Sequence, residues 1–158
     1  MVDISFRDEG VSITPSKTFL VRIVDNGSVK CLGTYQAKQE ALDVACRFKK
    51  DRLTCVCREY GHDINDGVII EQHYILFNNG DIFVTDTAHK LKPGLNGAGY
   101  LFVKLNGRGY RLHRLIAENF IPKVPGKNYI NHIDGNKTNN NLSNLEWCTQ
   151  SENVKHAF

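Results

Sequence analysis

No apolar run in this chain of 158 residues approaches the roughly 20 residues of a membrane-crossing helix, which excludes a helical membrane protein. The opening residues, MVDISFRDEG, lack the basic flank and greasy stretch of a secretory leader. The expectation is a chain that begins near Met1 and works in a cytoplasm. Paired cysteines are missing too. Cys31, Cys46, Cys55, Cys57 and Cys148 make an odd count without a repeated spacing, which argues against a secreted disulfide framework and for reduced thiols. The one close pair, Cys55-Val56-Cys57, lacks the spacer of a structural zinc site. There is no internal repeat, and Asn139-Asn140-Asn141 is the only low-complexity stretch. Nor is there a large excess of one charge: 20 Lys and Arg against 17 Asp and Glu leave +3. With 41% hydrophobic and 23% charged residues, the composition is that of a globular protein rather than a disordered or collagen-like one.

The charge is unevenly placed. From His89 to Lys127 eight Lys and Arg stand against Glu118 alone, a local excess of seven, and the remainder of the chain is net −4. A basic block in an acidic chain is an electrostatic footprint for a polyanion.

Three stretches follow from the patterning. In the first, Thr18 to Val24 alternates as a strand, Asp25-Asn26-Gly27 signals a tight turn, and Ser28 to Leu32 reads as a second strand. The period then changes. From Ala37 to about Leu53, residues Ala41, Val44, Ala45, Phe48 and Arg52 recur at helical spacing, with Lys38, Gln39, Glu40, Lys49 and Lys50 expected outward. The order of sheet and helix, with Leu32-Gly33-Thr34-Tyr35 and Glu40-Ala41, resembles the three-strand-plus-helix DNA-binding module of Apetala-type ethylene-response factors. That resemblance implies a sheet face docked on DNA. Arg22 and Lys30 are the counterparts of its DNA-contacting side chains, and no Trp is present there.

The second stretch, residues 67–110, holds short strands at Val68–Ile70, Tyr74–Phe77, Ile82–Val84 and Tyr100–Leu105, separated by Asn- and Gly-rich turns. With Tyr74-x-x-Phe-Asn-x-Gly80, then Leu91-Lys92-Pro93 and Gly99-Tyr100, it resembles the β-rich accessory module that precedes the nuclease domain of many phage and intron homing endonucleases. The third stretch, residues 111–158, begins with a helix, Leu112 to Phe120, whose Leu112, Leu115, Ile116 and Phe120 share a face, and which Pro122, Pro125 and Gly126 stop. A strand at Tyr129–Ile133, a turn at Asp134-Gly135, an asparagine loop, a strand at Leu145–Cys148 and a closing helix from Gln150 to Phe158 follow, with Ser151 expected as N-cap. The only Trp, Trp147, is expected to pack under the strand pair, where its indole N–H needs an acceptor.

That frame of two strands and a helix carries Asn131 and His132, then Asn144 twelve residues on, then Asn153 after nine more. Together with Leu112-His-Arg-Leu-Ile-Ala, Asn131-His-x-Asp-Gly-Asn-Lys137, Asn144-Leu-x-Trp147 and Glu152-Asn153, the set resembles the His-Asn-His (HNH, ββα-metal) endonucleases, especially their phage and intron homing branch. The resemblance implies an α+β protein. Residues 1–61 are expected to form a three-stranded sheet with one helix as a DNA-binding module, and residues 67–158 the nuclease domain, with a β-meander over 67–110 and the ββα-metal motif over 111–158.

The activity it implies is metal-dependent hydrolysis of DNA phosphodiester bonds, nicking or cutting both strands. An imidazole titrates near neutrality, which suits His132 as general base. By the resemblance, Asn131 and Asn153 hold Mg²⁺ or Mn²⁺ through side-chain carbonyls, and Asn144, grouped with the catalytic set, keeps the long loop in place. An amide at 131, where one common form of the family has Asp, brings no formal charge. Asp134 is the nearest compensating carboxylate, although its simpler role is to open an Asp-Gly turn. Arg108, Arg111, Arg114 and Lys137 are expected at DNA phosphates. His113 is expected as a structural histidine, and His156 as a solvated one. The partner implied is double-stranded DNA, with no membrane, no small-molecule cofactor and a monomeric chain in a bacterial or phage-infected cytoplasm. The alternative is a DNA-binding protein derived from such a nuclease that cuts weakly or not at all.

Overall fold

The computed structural model describes residue 4, residues 10–25 and residues 27–156, the His156 side chain excepted. The described residues fall into two compact units, those up to His73 with Phe83–His89, and Tyr74–Ile82 with those from Lys90 on. The sequence reading divides the chain after Gly61. The first compact unit extends past that point to His73 and includes Phe83–His89, where Asp86 pairs with Lys49 of the unit's helix.

The first unit is a three-stranded antiparallel sheet, β1 (Val11–Ile13), β2 (Phe19–Asp25) and β3 (Ser28–Tyr35), in the order β1-β2-β3, with α1 (Lys38–Glu59) packed on it. Asp25 faces Ser28 across the hairpin, and Gly27 takes a φ of +79°, a left-handed conformation costly for residues with a Cβ. Asn26 lies outside the described residues. Val21 and Ile23 on β2 meet Ala41 and Ala45 on α1, and Phe19, Leu32, Tyr35 and Phe48 close around them.

The helix departs from its expected form in two ways. It runs to Glu59 rather than to about Leu53, because Leu53 and Cys57 continue the buried i, i+4 stripe begun by Ala41 and Ala45. Burial of that stripe overrides the modest helix propensity of Thr54, Cys55 and Val56. The same stripe includes Lys49, expected outward, which is buried. Its Nζ reaches Asp86 Oδ1 at 3.0 Å, so the ammonium is neutralised where it is taken from water.

β4 (Val68–Ile70), β5 (Tyr74–Leu76) and β6 (Ile82–Val84) follow. The second unit then adds an antiparallel sheet ordered β7 (Gly94–Leu95), β8 (Leu101–Leu105) and β9 (Arg108–Arg111), of which β7 and β9 are not among the expected strands. Both are short, and β9 carries two arginines and a glycine, so no alternation marks it. Helix α2 (Leu112–Phe120) has the expected bounds and packs on β8, β9 and the last two strands, burying Leu112, Leu115 and Ile116. Gly80 at φ +89° lies under it, and a Cβ there would come within 3.1 Å of Ile116 Cδ1.

The antiparallel pair β10 (Tyr129–His132) and β11 (Leu145–Cys148) and the closing α3 (Gln150–His156) complete the unit. The α+β class and the strand, strand, helix order are as expected. The N-cap is not. Thr149, not Ser151, caps α3: its Oγ1 accepts from the Glu152 N–H at 3.3 Å while Glu152 Oε2 accepts from the Thr149 N–H at 2.8 Å. This reciprocal box satisfies two amides that a cap two residues later would leave open.

Candidate active site

Strand β10 fixes the first two site residues. In its register Asn131 faces Glu146 and His132 faces Leu145 across the pair. The loop that follows turns at Asp134-Gly135 and returns through a single 3₁₀ turn, Leu142–Asn144. Asn144 ties its two ends together. Its Nδ2 donates to Asp134 Oδ1 (2.9 Å) and to the Asn139 carbonyl (2.8 Å), and its Oδ1 accepts from the Asp134 N–H (3.0 Å). Asp134 in turn accepts from the Asn136 N–H and from Asn139 Nδ2. These bonds, the Asn139 side chain first, hold its carboxyl below the usual carboxylate range. A carboxylate so occupied shapes the loop, its simpler role.

The loop presents a residue the sequence reading passes over. Asn140, buried within the asparagine run, places Oδ1 2.8 Å from His132 Nε2. An amide oxygen only accepts, so with that oxygen toward the ring a neutral His132 carries its proton on Nε2 and leaves Nδ1 as the acceptor. Nothing in the spacing singles out Asn140 from its neighbours.

His132 is enclosed by aromatic rings. His113, from the first turn of α2, meets it edge-on with centroids 5.0 Å apart, and Tyr100 lies 5.1 Å from His113 and 6.1 Å from His132. His113 is buried, and its Nδ1 has no hydrogen-bond partner among the described residues. Burial, and then the positive charge that His132, Arg111 and Arg114 can present, lowers its pKa to about 4. The ring is therefore neutral near pH 7, as its packing requires.

This has a consequence for stability. A histidine with a folded pKa of about 4 and an unfolded value near 6.5 takes up its proton more readily when unfolded between those values. Its contribution is thus complete above pH 6.5 and is lost as pH falls toward 4, at most about 3 kcal/mol. Urea unfolding at pH 7 and pH 4.5 should show wild type losing about 2 kcal/mol more than His113→Phe over that interval. An equal loss in both proteins would exclude His113 as the source.

Tyr100, Ile130, Asn131, His132, Gly135, Lys137 and Asn153 line a cleft of about 200 Å³. Three of the four motif residues thus share one cavity, and Asn144 is not among its lining residues. A larger hollow, about 430 Å³, lies at the end of α1 and has none of them.

The cations expected at phosphates separate into groups. Arg111 and Lys137 converge on the Tyr100 ring, at 5.3 and 4.8 Å from its centroid, and Lys137 also donates to the Ala98 carbonyl. Arg114 is exposed and pairs with Glu118, and Arg108 is exposed on β9. In the first unit Arg22 and Lys30 stand on opposite faces of the sheet. Arg22 pairs in register with Cys31 on the open face, whereas Lys30 faces Ile23 on the helix side, bonds Asp25 at 2.6 Å and lies over Phe48. Trp147 is buried and donates to the Ile121 carbonyl at 3.3 Å, the partner its indole needs.

The donor set suits a hard cation. Asn131 and Asn153, which line the cleft, carry carboxamide oxygens, and an ion such as Mg²⁺ that retains most of its water needs few protein ligands. Among the described residues, no three His, Cys, Asp or Glu side chains are grouped to hold a metal. The His156 side chain is outside the description.

Among known proteins, residues 110–155 match the family model described as HNH endonuclease. The chain is 33% identical over 105 residues to the uncharacterized HNH endonuclease L245 of Acanthamoeba polyphaga mimivirus, covering 63% of this chain and 32% of that one. It is 34% identical over 92 residues to DNA endonuclease I-HmuI of Bacillus phage SP01, covering 56% and 53%. The solved structure of DNA binding and cleavage by the HNH homing endonuclease I-HmuI aligns with a TM-score of 0.45 at 34% identity, over 52% of this chain and 50% of the other. The chain thus spans about half or less of the length of these relatives.

Proposed function

We propose that this chain, whose residues 110–155 belong to the HNH endonuclease family, hydrolyses phosphodiester bonds in double-stranded DNA. The observation that carries the reading is the cleft in which His132, with Nε2 held by Asn140, sits beside the two carboxamides of Asn131 and Asn153. His132 Nδ1 takes a proton from water as the water oxygen bonds to phosphorus. The bond from phosphorus to the 3′ oxygen breaks and that oxygen takes a proton from solvent, leaving 5′-phosphate and 3′-hydroxyl ends. Asn131 and Asn153 would hold the divalent cation, Mg²⁺ or Mn²⁺. When bound, it supplies Lewis-acid stabilisation of the charge gathered on the phosphate. Asn140 sets the tautomer of the base, Asn144 keeps its loop in place, and the His113 and Tyr100 rings limit water around it. Arg111 and Lys137, gathered on Tyr100, meet the DNA backbone at the mouth of the cleft, with Arg108 and Arg114 farther along it.

The first unit contacts DNA through the open face of its sheet, where Arg22 stands. Lys30, already bonded to Asp25, contributes less. The chain acts as a monomer in a bacterial or phage-infected cytoplasm.

Supercoiled plasmid decides the matter. With Mg²⁺ or Mn²⁺ the protein should convert it to nicked or linear form, and removing the ion with a chelator should stop conversion while leaving DNA binding measurable. Binding without conversion under any divalent ion would favour the alternative, a DNA-binding protein that no longer cuts, to which the uncharged amide at 131 points.

A further inference from the structure

The geometry points to Glu146 as a positioning residue that aims Asn131 and supplies, from the neighbouring strand, the negative charge an amide at 131 lacks. The inference rests on the reading of Asn131 as a holder of the cation. Asn131 and Glu146 are direct partners in the antiparallel pair, and Asn131 Nδ2 donates to Glu146 Oε1 at 2.9 Å. An ionised carboxylate can only accept, so it selects one of the two orientations of the amide. The NH₂ group turns to Glu146 and the carbonyl oxygen turns away from it, free for a cation. Asn131 is buried, 6% exposed, so the amide cannot exchange this partner freely for water.

The charge argument is separate. The other carboxylates on the elements around the cleft are engaged. Glu118 pairs with Arg114, Glu152 pairs with Lys127 and caps α3, and Asp134 is taken up by its loop. Among the described residues Glu146 has no salt-bridge partner within 4 Å. Its charge is therefore left to favour a cation one side chain away. Outer residues that orient a ligand in this way commonly change metal affinity by about 10- to 100-fold.

Glu146→Gln keeps an oxygen that can accept from Asn131 and removes the charge. Asn131→Asp with Glu146→Gln moves the charge onto the ligand and keeps one donor facing one acceptor. Asn131→Asp alone sets two carboxylates against each other across the strand pair. Calorimetric titration of the metal-free full-length protein with Mn²⁺, without DNA, reads the first effect. Glu146→Gln should raise the Kd about tenfold with little change in Tm, and the double variant should return it to within about threefold of wild type. Thermal unfolding without metal reads the pairing itself: Asn131→Asp alone should lower Tm by about 4 °C or more, and adding Glu146→Gln should restore it.

Wild-type affinity in Glu146→Gln, no recovery in the double variant, or an unchanged Tm in Asn131→Asp would each overturn the inference while wild-type Mn²⁺ binding leaves the nuclease reading in place. A wild type that binds no Mn²⁺ would overturn both the inference and the assignment of Asn131 as a cation holder.

Discussion

Replacing His132 by alanine should lower plasmid conversion by about a thousandfold, since a general base placed on the attacking water is commonly worth 10² to 10⁴ in rate. The loss should fall on the cleavage step, with DNA affinity nearly unchanged, because the cations at Tyr100 remain. Alanine also removes a buried ring from between His113 and Asn140, so some loss of stability accompanies it. His132→Gln separates the two effects. Glutamine is able to bond Asn140 but has no group that accepts a proton near neutral pH. If His132→Gln melts close to wild type and is as slow as the alanine variant, the loss is chemical. Equal rates in wild type and both variants would show that His132 is not the base.

The second large effect is expected at Asn144. Asn144→Leu keeps the branched shape and the number of heavy atoms but removes three hydrogen bonds, leaving the Asp134 N–H and the Asn139 carbonyl without that partner. At about 1 kcal/mol per bond, with a further penalty for polar groups left partly buried, unfolding free energy should fall by about 4 kcal/mol. Cleavage should fall as well, by about a hundredfold, because Asn140 belongs to the same loop and can no longer fix the ring of His132. Asn144→Asp should fare little better. Its carboxylate still accepts from the Asp134 N–H but faces the Asp134 carboxylate instead of donating to it. Denaturant titration and single-turnover cleavage together check this. Wild-type stability in Asn144→Leu would mean the loop is held by its turns alone.

Much of the frame around the site is legible residue by residue. Helix α2 has its expected bounds because Leu112, Leu115 and Ile116 mark one face and proline follows. Strands β10 and β11 fall close to where the pattern puts them, and Trp147 finds the acceptor its burial demands. The misses share a cause. Thr149 and Ser151 are both acceptable caps by composition, and only the reciprocal bond with Glu152 selects between them. Lys49 reads as a solvent-facing lysine until Asp86, far along the chain, is found beside it.

The sequence by itself determined where Asn131, His132, Asn144 and Asn153, the residues proposed to carry the chemistry, stand: on a strand, a loop and a helix whose local patterns are strong. It also placed the basic block ahead of them. Tertiary structure alone decided what each of these side chains touches. Asn140 rather than its neighbours meets the His132 ring, Tyr100 and His113 pack against it, Arg111 and Lys137 both lie over the Tyr100 ring, and the Asn131 amide donates to Glu146. The physical reason is range. Strand alternation, helical spacing and turn chemistry act over a few neighbouring residues, whereas a hydrogen-bond partner or a charge partner is fixed by how distant segments pack.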